Sequence, residues 1–256
     1  NEAVITQQGT GQRAETVSIG DGNMVQVNQA QTSNLSLIYN TGDFNDVAHT
    51  QNGTMNGALS ETVGNDNAIR VEQQGAGFFG INNEAINTVT GDENTITVTQ
   101  GDGGHWFYNF DLEGNSNTVS SEQVGLLNEA TFNTVIGDDN TIEVAQEGLF
   151  NAFTSDEIVG NGNDITIDQT GAFNSATLTS VRGDYNEVEL EQDGDSNSAL
   201  IAEVTGNDNE VKSDQEGNSN SFESAVLIGD GNTLLVNQKQ DGNTAGLDAI
   251  GNDNEL

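Results

Sequence analysis

A four-residue turn, Gly-x-x-Asn, recurs along the whole chain and constrains its fold more than any other feature. It occurs at 20–23, 42–45, 64–67, 91–94, 114–117, 137–140, 160–163, 183–186, 206–209, 229–232 and 251–254. Successive copies lie 22 or 23 residues apart, with one interval of 27 residues. The sixth residue after each Asn that opens a complete repeat is Gln, and Asn1 and Gln7 obey the same spacing. A fixed period of this length is the signature of a stacked repeat architecture.

The segment between each Asn and its Gln predicts a β-strand. In TITVTQ (95–100), DITIDQ (164–169) and EVELEQ (187–192), the second and fourth residues after Asn are apolar, whereas the odd positions are polar or acidic. Such alternation is typical of a strand that buries one face. The chain contains no proline, which agrees with a continuous parallel sheet because each proline would remove a ladder hydrogen bond.

A second turn and a second strand complete each repeat. The second turn reads Gln-x-Gly-x-x-Asn-x-Ala in QVGLLNEA (123–130), QTGAFNSA (169–176) and QDGDSNSA (192–199). One coil cannot bury its apolar stripe alone, whereas stacked coils can. We therefore predict an all-β, amyloid-like β-solenoid: one domain over 1–256, with about eleven strand-turn-strand-turn coils of 22–23 residues in two parallel sheets. The coils begin at Asn1, Asn23, Asn45, Asn67, Asn94, Asn117, Asn140, Asn163, Asn186, Asn209 and Asn232.

The recurring amides are predicted to form ladders inside the solenoid. An amide side chain has one acceptor and two donors, so identical amides stacked one strand apart can bond along the axis. Turn chemistry explains Asn but does not require Gln at one fixed spacing, which favours ladders over solvent-facing turn residues. The predicted ladder residues are Asn23, Gln29, Asn45, Gln51, Asn67, Gln73, Asn94, Gln100, Asn117, Gln123, Asn140, Gln146, Asn163, Gln169, Asn186, Gln192, Asn209, Gln215, Asn232 and Gln238. His49, Ser121 and Ser213 occupy core positions and are expected to be weak points.

The composition argues against several functional classes. The chain has 41 acidic and five basic residues, a net charge of -36, which disfavours nucleic acid and anionic membranes as partners. No apolar segment is long enough for a membrane span, so no membrane insertion is expected. Two histidines and no cysteine leave little for a nucleophilic triad or a zinc site. Outward carboxylates such as Glu187 and Glu189 predict a solvated face, and we expect no enzyme, catalytic residue or cofactor.

Two kinds of binding remain as alternatives. The GDxN and GNDN turns supply oxygen ligands for Ca²⁺, but the period differs from that of the nonapeptide calcium roll. We therefore expect diffuse screening by divalent cations rather than specific calcium sites. An ice-binding array would suit Thr95, Thr97 and Thr99, but acidic residues take the matching positions in EVELEQ (187–192).

Large apolar residues interrupt the second turns of coils 4 to 8 and predict a lateral or adhesive contact. Coil 4 carries the insertion GAGFFGIN (75–82), and coil 5 has GDGGHWFYNF (101–110) in place of the usual turn. Equivalent positions of stacked coils lie in line, and an exposed apolar patch normally marks a partner. The alternative is that these aromatic residues bury one another over the turns. The predicted contact residues are Phe78, Phe79, Trp106, Leu127, Phe150 and Phe173.

The complete pattern resembles the repeat of the curlin-repeat family, which the curli major subunit carries. A strand, the Gln-x-Gly-x-x-Asn-x-Ala turn and a second strand ending in a Gly/Asn turn all match, best over residues 117–231. The resemblance implies a secreted subunit, here without its signal peptide, that forms extracellular, cell-surface amyloid fibres of biofilm matrix and supports adhesion. It also implies self-association along the fibre axis, a nucleator and a secretion machinery as partners. In departure from the family, the second strand usually lacks a closing Gln, and the polar N-terminal secretion segment is absent.

One alternative function stays open beside the fibre subunit. It is an acidic, cation-dependent β-solenoid adhesin module that does not polymerise. Solenoids usually cap their ends against edge pairing, whereas this sequence begins on the repeat and stops within a turn. The lack of a capping segment is therefore expected to favour end-to-end polymerisation.

Overall fold

The computed structural model describes residues 1–76, 82–160, 163–183, 185–206, 208–229 and 233–250. Within these ranges there is no helix, and the regular structure consists of parallel strands. The strands are β1 (Glu2–Thr10), β2 (Arg13–Ile19), β3 (Met24–Thr32), β4 (Leu35–Thr41), β5 (Asp46–Thr54), β6 (Gly57–Val63), β7 (Ala68–Ala76), β8 (Glu84–Thr90), β9 (Thr95–Gln100), β10 (Trp106–Glu113), β11 (Thr118–Leu126), β12 (Glu129–Ile136), β13 (Thr141–Leu149), β14 (Ala152–Val159), β15 (Asp164–Ala172), β16 (Ser175–Thr177), β17 (Glu187–Glu189), β18 (Gln192–Asp193), β19 (Ser198–Ile201), β20 (Val204–Thr205), β21 (Glu210–Lys212), β22 (Gln215–Glu216), β23 (Ser221–Ile228), β24 (Thr233–Leu235), β25 (Gln238–Lys239) and β26 (Thr244–Ile250).

The strands form two sheets, and each coil adds one row to each sheet. The first sheet has the order β1-β3-β5-β7-β9-β11-β13-β15-β17-β21-β24, with β18, β22 and β25 completing the last three rows. The second sheet runs β2-β4-β6-β8-β10-β12-β14-β16-β19-β23, with β20 and β26 also paired to β23. The eleven rows of the first sheet confirm the predicted β-solenoid.

A continuous apolar core lies between the two sheets. The second and fourth residues after each Asn point inward, as for Val25 and Val27 or Ile165 and Ile167, and these four are at most 1% exposed. The second sheet adds large side chains, of which Phe107 is fully buried. Alternation in the first strands therefore matches the face that is buried.

The change from 22- to 23-residue coils is absorbed in the second sheet. Strand β8 has seven residues and β10 has eight, and their pairing shifts register between Asn109 and Leu112. In the next two coils, Thr134 and Glu157 have φ angles of 64° and 61°. One extra residue in one of two paired strands is a β-bulge. The first sheet stays in register across the same coils, since Thr95 pairs with Thr118.

The first glycine of the first turn is required by the spacing between coils. Gly64 has a φ angle of +134°, and a Cβ built on it would lie 1.9 Å from the carbonyl oxygen of Gly91 in the next coil. No side chain fits at that distance, and the backbone conformation itself favours glycine. The repeated glycine therefore sets how closely successive turns approach.

Candidate functional site

The glutamines form one line of hydrogen-bonded amides inside the first sheet. From Gln29 to Gln215 each is at most 2% exposed. Nε2 of Gln29 donates to Oε1 of Gln51 at 2.8 Å, and the bonds from Gln51 to Gln73 and onward as far as Gln169 are 2.9 Å long. From coil 2 to coil 8, each coil is thus tied to the next through its buried side chains.

Most ladder amides also connect the two sheets. Nε2 of Gln100 donates to the main-chain oxygen of Glu84 at 3.0 Å, and Gln123 makes the corresponding bond to Trp106 at 3.0 Å. The acceptor is in both cases the first residue of the second strand of the preceding coil. The ladder therefore holds together both the coils and the sheets.

The donor direction of the ladder reverses between coils 8 and 9. Gln215 donates back to Gln192, and Gln238 donates back to Gln215, both at 2.8 Å. Nε2 of Gln169 is buried at this point and has no partner. The line consists of two segments that meet between Gln169 and Gln192.

The asparagines of the first turn bridge the coils mainly through the main chain. Nδ2 of Asn45 donates to the carbonyl oxygen of Gly64 at 2.7 Å, and its Oδ1 accepts from the backbone N–H of Asn67 at 3.0 Å. The same pair of bonds recurs at Asn23, Asn67, Asn94 and Asn117. Because the asparagine side chain is one methylene shorter than that of glutamine, its amide stays near the main chain and bonds to main-chain atoms in the turn of the next coil.

This asparagine line weakens toward the later coils. Asn140 donates to Asn117 at 3.0 Å, but Oδ1 of Asn163 and both side-chain polar atoms of Asn186 lack partners. Asn209 donates to the main-chain oxygen of Thr205 at 3.1 Å. The predicted ladder residue Asn232 lies outside the described residues.

A third column of amides, at the second turn, was not among the predicted ladder residues. Oδ1 of Asn151 accepts from the N–H of Asn174 at 3.1 Å, and Asn174 accepts likewise from Asn197 at 2.9 Å. The column comprises Asn34, Asn56, Asn83, Asn128, Asn151, Asn174, Asn197, Asn220 and Asn243. The Asn of the Gln-x-Gly-x-x-Asn motif is the sequence feature from which this column could have been predicted. Beside the coil 4 insertion the line is broken, since neither amide atom of Asn56 has a partner.

His105 replaces asparagine in this third column. Its backbone N–H donates to Oδ1 of Asn83 at 3.0 Å, and its Nδ1 accepts from the N–H of Asn128 at 3.2 Å. Burial lowers the pKa of the ring, which keeps Nδ1 available as an acceptor. The imidazole thus takes the bridging role of the missing amide.

His49 occupies a core position of the first sheet and is fully buried. Its Nδ1 lies 2.9 Å from Oγ of Ser36, and its Nε2 lies 2.8 Å from Oγ of Ser60. Burial lowers the pKa of His49 to about 3. Ser121 and Ser213, also in core positions, have hydroxyls without partners. The two serine hydroxyls provide hydrogen-bond partners for both ring nitrogens of His49, and solvent does not reach the ring.

The predicted lateral contact residues occupy different environments. Phe150 and Phe173 are 44% and 56% exposed, and their rings stack with centroids 5.2 Å apart. Leu127 is only 7% exposed. Trp106 opens strand β10 and is half-buried, so the turn of coil 5 ends before it. Phe78 and Phe79 lie outside the described residues.

The outer face of the first sheet carries a dense set of carboxylates. Burial and the neighbouring Glu147 raise the pKa of Asp168, and burial and Asp214 raise the pKa of Glu191. Lys212 lies 2.8 Å from Glu210.

Over the described ranges, no group of three acidic or histidine side chains is placed to hold a metal ion. The same residues include no helix long and apolar enough to cross a membrane.

Comparison with known proteins identifies the repeat. No curated protein matches the chain. The model of the curlin associated repeat matches residues 114–148, 160–191 and 183–217. These segments contain the Gly-x-x-Asn turn, the ladder glutamines and the second turn, and the matches single out the repeat rather than one particular subunit. The chain therefore carries repeats of the curlin type in these segments, and its repeats are similar to those of curli-type structural proteins.

Proposed function

We propose that the protein is the structural subunit of an extracellular, curli-like amyloid fibre that self-assembles end to end. The proposal rests on one kind of bond that joins successive coils. The Gln-to-Gln bonds of 2.8–2.9 Å recur from coil 2 to coil 8. A coil of a second copy offers the same donors and acceptors. Bonds that stack coils within a chain are therefore suited to stack copies along a fibre.

The edge of the first sheet supports this proposal. In β1, the N–H of Glu2 donates to the carbonyl oxygen of Asn23. Bonding directions alternate along a parallel strand, so the amides of Ala3 and Ile5 face away from β3. Ile5 is 46% exposed, whereas Val27 in the next coil is fully buried. Within the described residues β1 pairs on one side only, and an unpaired strand edge is a template for pairing with another chain.

The matches to the curlin associated repeat support the wider setting. We propose a secreted protein at the cell surface, with biofilm matrix and adhesion as its roles. A nucleator and a secretion machinery are its proposed partners. The acidic surface suits diffuse binding of divalent cations, which would screen neighbouring carboxylates as coils stack.

Fibre growth of two coil 1 variants tests the proposal. In Ile5→Pro the amide that faces the open edge is removed, while the bond from Glu2 to Asn23 stays. Ile5→Ser removes the apolar side chain but keeps the N–H, and serves as the control. We expect the native chain and Ile5→Ser to extend preformed fibre seeds, and Ile5→Pro to extend them at least several-fold more slowly. Seeded growth is followed by light scattering and electron microscopy, and circular dichroism checks that each monomer keeps its strands.

One outcome would contradict the fibre function, and another would contradict the junction through β1. If the native chain stays monomeric at every seed concentration, the non-polymerising adhesin module is the better account. If Ile5→Pro grows as fast as Ile5→Ser, the copies do not join through the edge of β1.

We further propose that Phe150 and Phe173 contact a neighbouring fibre. Both aromatic residues hold the left-handed backbone region, with φ angles of 55° and 60°, where bulky side chains are uncommon. Phe150→Ser with Phe173→Ser should reduce fibre bundling while single fibres still form. The control pair is Phe44→Ser with Tyr185→Ser, because these residues hold the equivalent first-turn position and are 63% and 71% exposed. If both double variants bundle as much as the native chain, Phe150 and Phe173 do not form the contact and the proposal is wrong.

A further inference from the structure

The residue that follows the glycine of each first turn is always Asp or Asn, and the two types alternate. The column reads Asp21, Asp43, Asn65, Asp92, Asn115 and Asp138 in the early turns, and Asn161, Asp184, Asn207, Asp230 and Asn252 in the later ones. From Asp43 onward the alternation has no exception. Because the turn recurs once per coil, this column has a period of two coils. We call it the Asp/Asn column.

The described members of the column are joined by one kind of bond. The N–H of Asp43 donates to Oδ1 of Asn65 at 2.9 Å, and the N–H of Asn65 donates to Oδ1 of Asp92 at 2.6 Å. The next two bonds, from Asp92 to Asn115 and from Asn115 to Asp138, are 2.9 Å and 2.7 Å long. Either residue type supplies the Oδ1 acceptor, so this bond alone does not require alternation.

The second bond depends on the residue type. Nδ2 of Asn65 donates to Oδ1 of Asp92 at 3.0 Å, and Nδ2 of Asn115 donates to Oδ1 of Asp138 at 3.0 Å. A carboxylate has no donor to offer in return. Two carboxylates in adjacent coils would also stand about 4.8 Å apart, and like charges directly opposed are destabilising. Placing an amide between them removes the opposition and adds a charge-assisted donor.

The second turn repeats the arrangement independently. In its polar part, the equivalent positions are Asp195, Asn218 and Asp241. The N–H of Asp195 donates to Oδ1 of Asn218, and the N–H of Asn218 donates to Oδ1 of Asp241, both at 2.8 Å. Nδ2 of Asn218 also donates to the same oxygen of Asp241 at 3.2 Å. The same order of residue types therefore meets the same bonds in both turns.

We propose that the Asp/Asn column determines which coils can be neighbours. A turn with Asp at this position stacks preferentially between two turns with Asn. The structural repeat is then a pair of coils, about 46 residues long by the spacing of the turns. A coil stack that skipped an amide turn would place carboxylate on carboxylate, and this penalty favours the native order of stacking. The proposal concerns coils of one chain and does not require polymerisation.

Two rearrangements of the column separate order from composition. Exchanging one pair, D92N with N115D, keeps the net charge but sets a carboxylate at position 115 beside Asp138 and an amide at position 92 beside Asn65. Exchanging two pairs, D43N, N65D, D92N and N115D, also keeps the net charge. It restores alternation from position 21 to 115 and leaves one acidic pair, at 115 and 138. The native column has one acidic pair as well, at Asp21 and Asp43, whereas the single exchange has two.

The test is urea unfolding of the three 256-residue chains at low salt and neutral pH. We expect a lower urea midpoint for the single exchange than for the native chain. The double exchange should lie near the native midpoint although it carries twice as many substitutions. Amide hydrogen exchange at residue 115 should be up to about fivefold faster in the single exchange, the equivalent of about 1 kcal/mol. About 1 M salt, with a Debye length of about 3 Å, should remove most of the difference.

Two results would overturn the proposal. If the double exchange is destabilised as much as the single exchange or more, each position requires its own residue and the order carries no information. If all three chains unfold together, Asp and Asn are interchangeable turn residues. Neither result depends on whether fibres form, so this test and the test of the fibre function are independent.

Discussion

The first sheet is uniform along the solenoid, whereas the second sheet varies from coil to coil. Inward positions of the first sheet hold two apolar residues and a hydrogen-bonded Gln in most coils. Inward positions of the second sheet range from Ala58 to Phe107, and they include Asn40, Asn87 and Asn109, whose buried amides lack partners. One sheet therefore fixes the register of the coils, and the other accommodates differences between them.

Volume in the second sheet is balanced between neighbouring coils. Phe107 pairs with Ala85 on one side and Ala130 on the other, and Phe153 pairs with Ala130 and Ala176. A large residue beside a small one lets successive layers interdigitate without voids. The second sheet thus varies in sequence while the core stays closed.

Acid should destabilise the chain through His49, an ionisable group buried inside the first sheet. Burial lowers the pKa of His49 from 6.5 to about 3, so the folded state holds the neutral ring. The stability from this group is complete above about pH 6.5 and is lost as pH falls toward 3, because the unfolded chain then binds a proton that the folded chain excludes. The loss approaches about 5 kcal/mol near pH 3. We expect His49→Val to lose less stability on acidification than the native chain.

Urea unfolding of both chains between pH 3.5 and 7 measures this difference. His105→Asn is the control, since it restores the amide of the second turn and leaves His49 in place. If the free energy of unfolding falls equally in the native chain and in His49→Val over this range, the His49 ring does not cause the acid sensitivity.

The same chemical change should have opposite effects in the two sheets. Gln100→Met removes the side-chain acceptor of Gln73 Nε2 and the side-chain donor to Gln123 Oε1, and we expect a loss of about 2–4 kcal/mol. Asn87→Leu removes a buried amide whose two polar atoms have no partner, and we expect a gain of about 1 kcal/mol. Equilibrium denaturation at pH 7 measures both. Two losses of similar size would mean that the second sheet is as constrained as the first.

The sequence predicted the first sheet well because its signals are local and repeat in every coil. Alternation around Ile96 and Val98 predicts the strand and its buried face, and the fixed Gln spacing places Gln100. The 23-residue period predicts an extra residue but not its position, since the bulge near Asn109 depends on pairing with β8. The partner atoms of the asparagines also depend on distances between coils, which no single repeat contains.

Coil 5 shows why the remaining features could not be predicted. The segment 101–110 has no Asn at the expected place, so the repeat pattern assigned His105 no role and put Trp106 in the turn. The bond from Asn128 to Nδ1 of His105 exists only because the stacked coils bring them within 3.2 Å. The function of such a residue follows from its neighbours in the next coils rather than from its own repeat.

The smallest expected effect concerns a polar residue within the uniform sheet. Ser121 pairs with Val98 on one side and Val144 on the other, and its buried hydroxyl has no partner. Ser121→Val should raise the free energy of unfolding by about 1 kcal/mol, because it removes an unpaired hydroxyl and continues the apolar line. Ser121→Ala is the matched variant, since it removes the hydroxyl without filling the position. Thermal and urea unfolding should rank Val above Ala and Ala above the native Ser. A loss on Ser121→Val would mean that this coil has no room for the branched side chain, and that the first sheet is less uniform than its register implies.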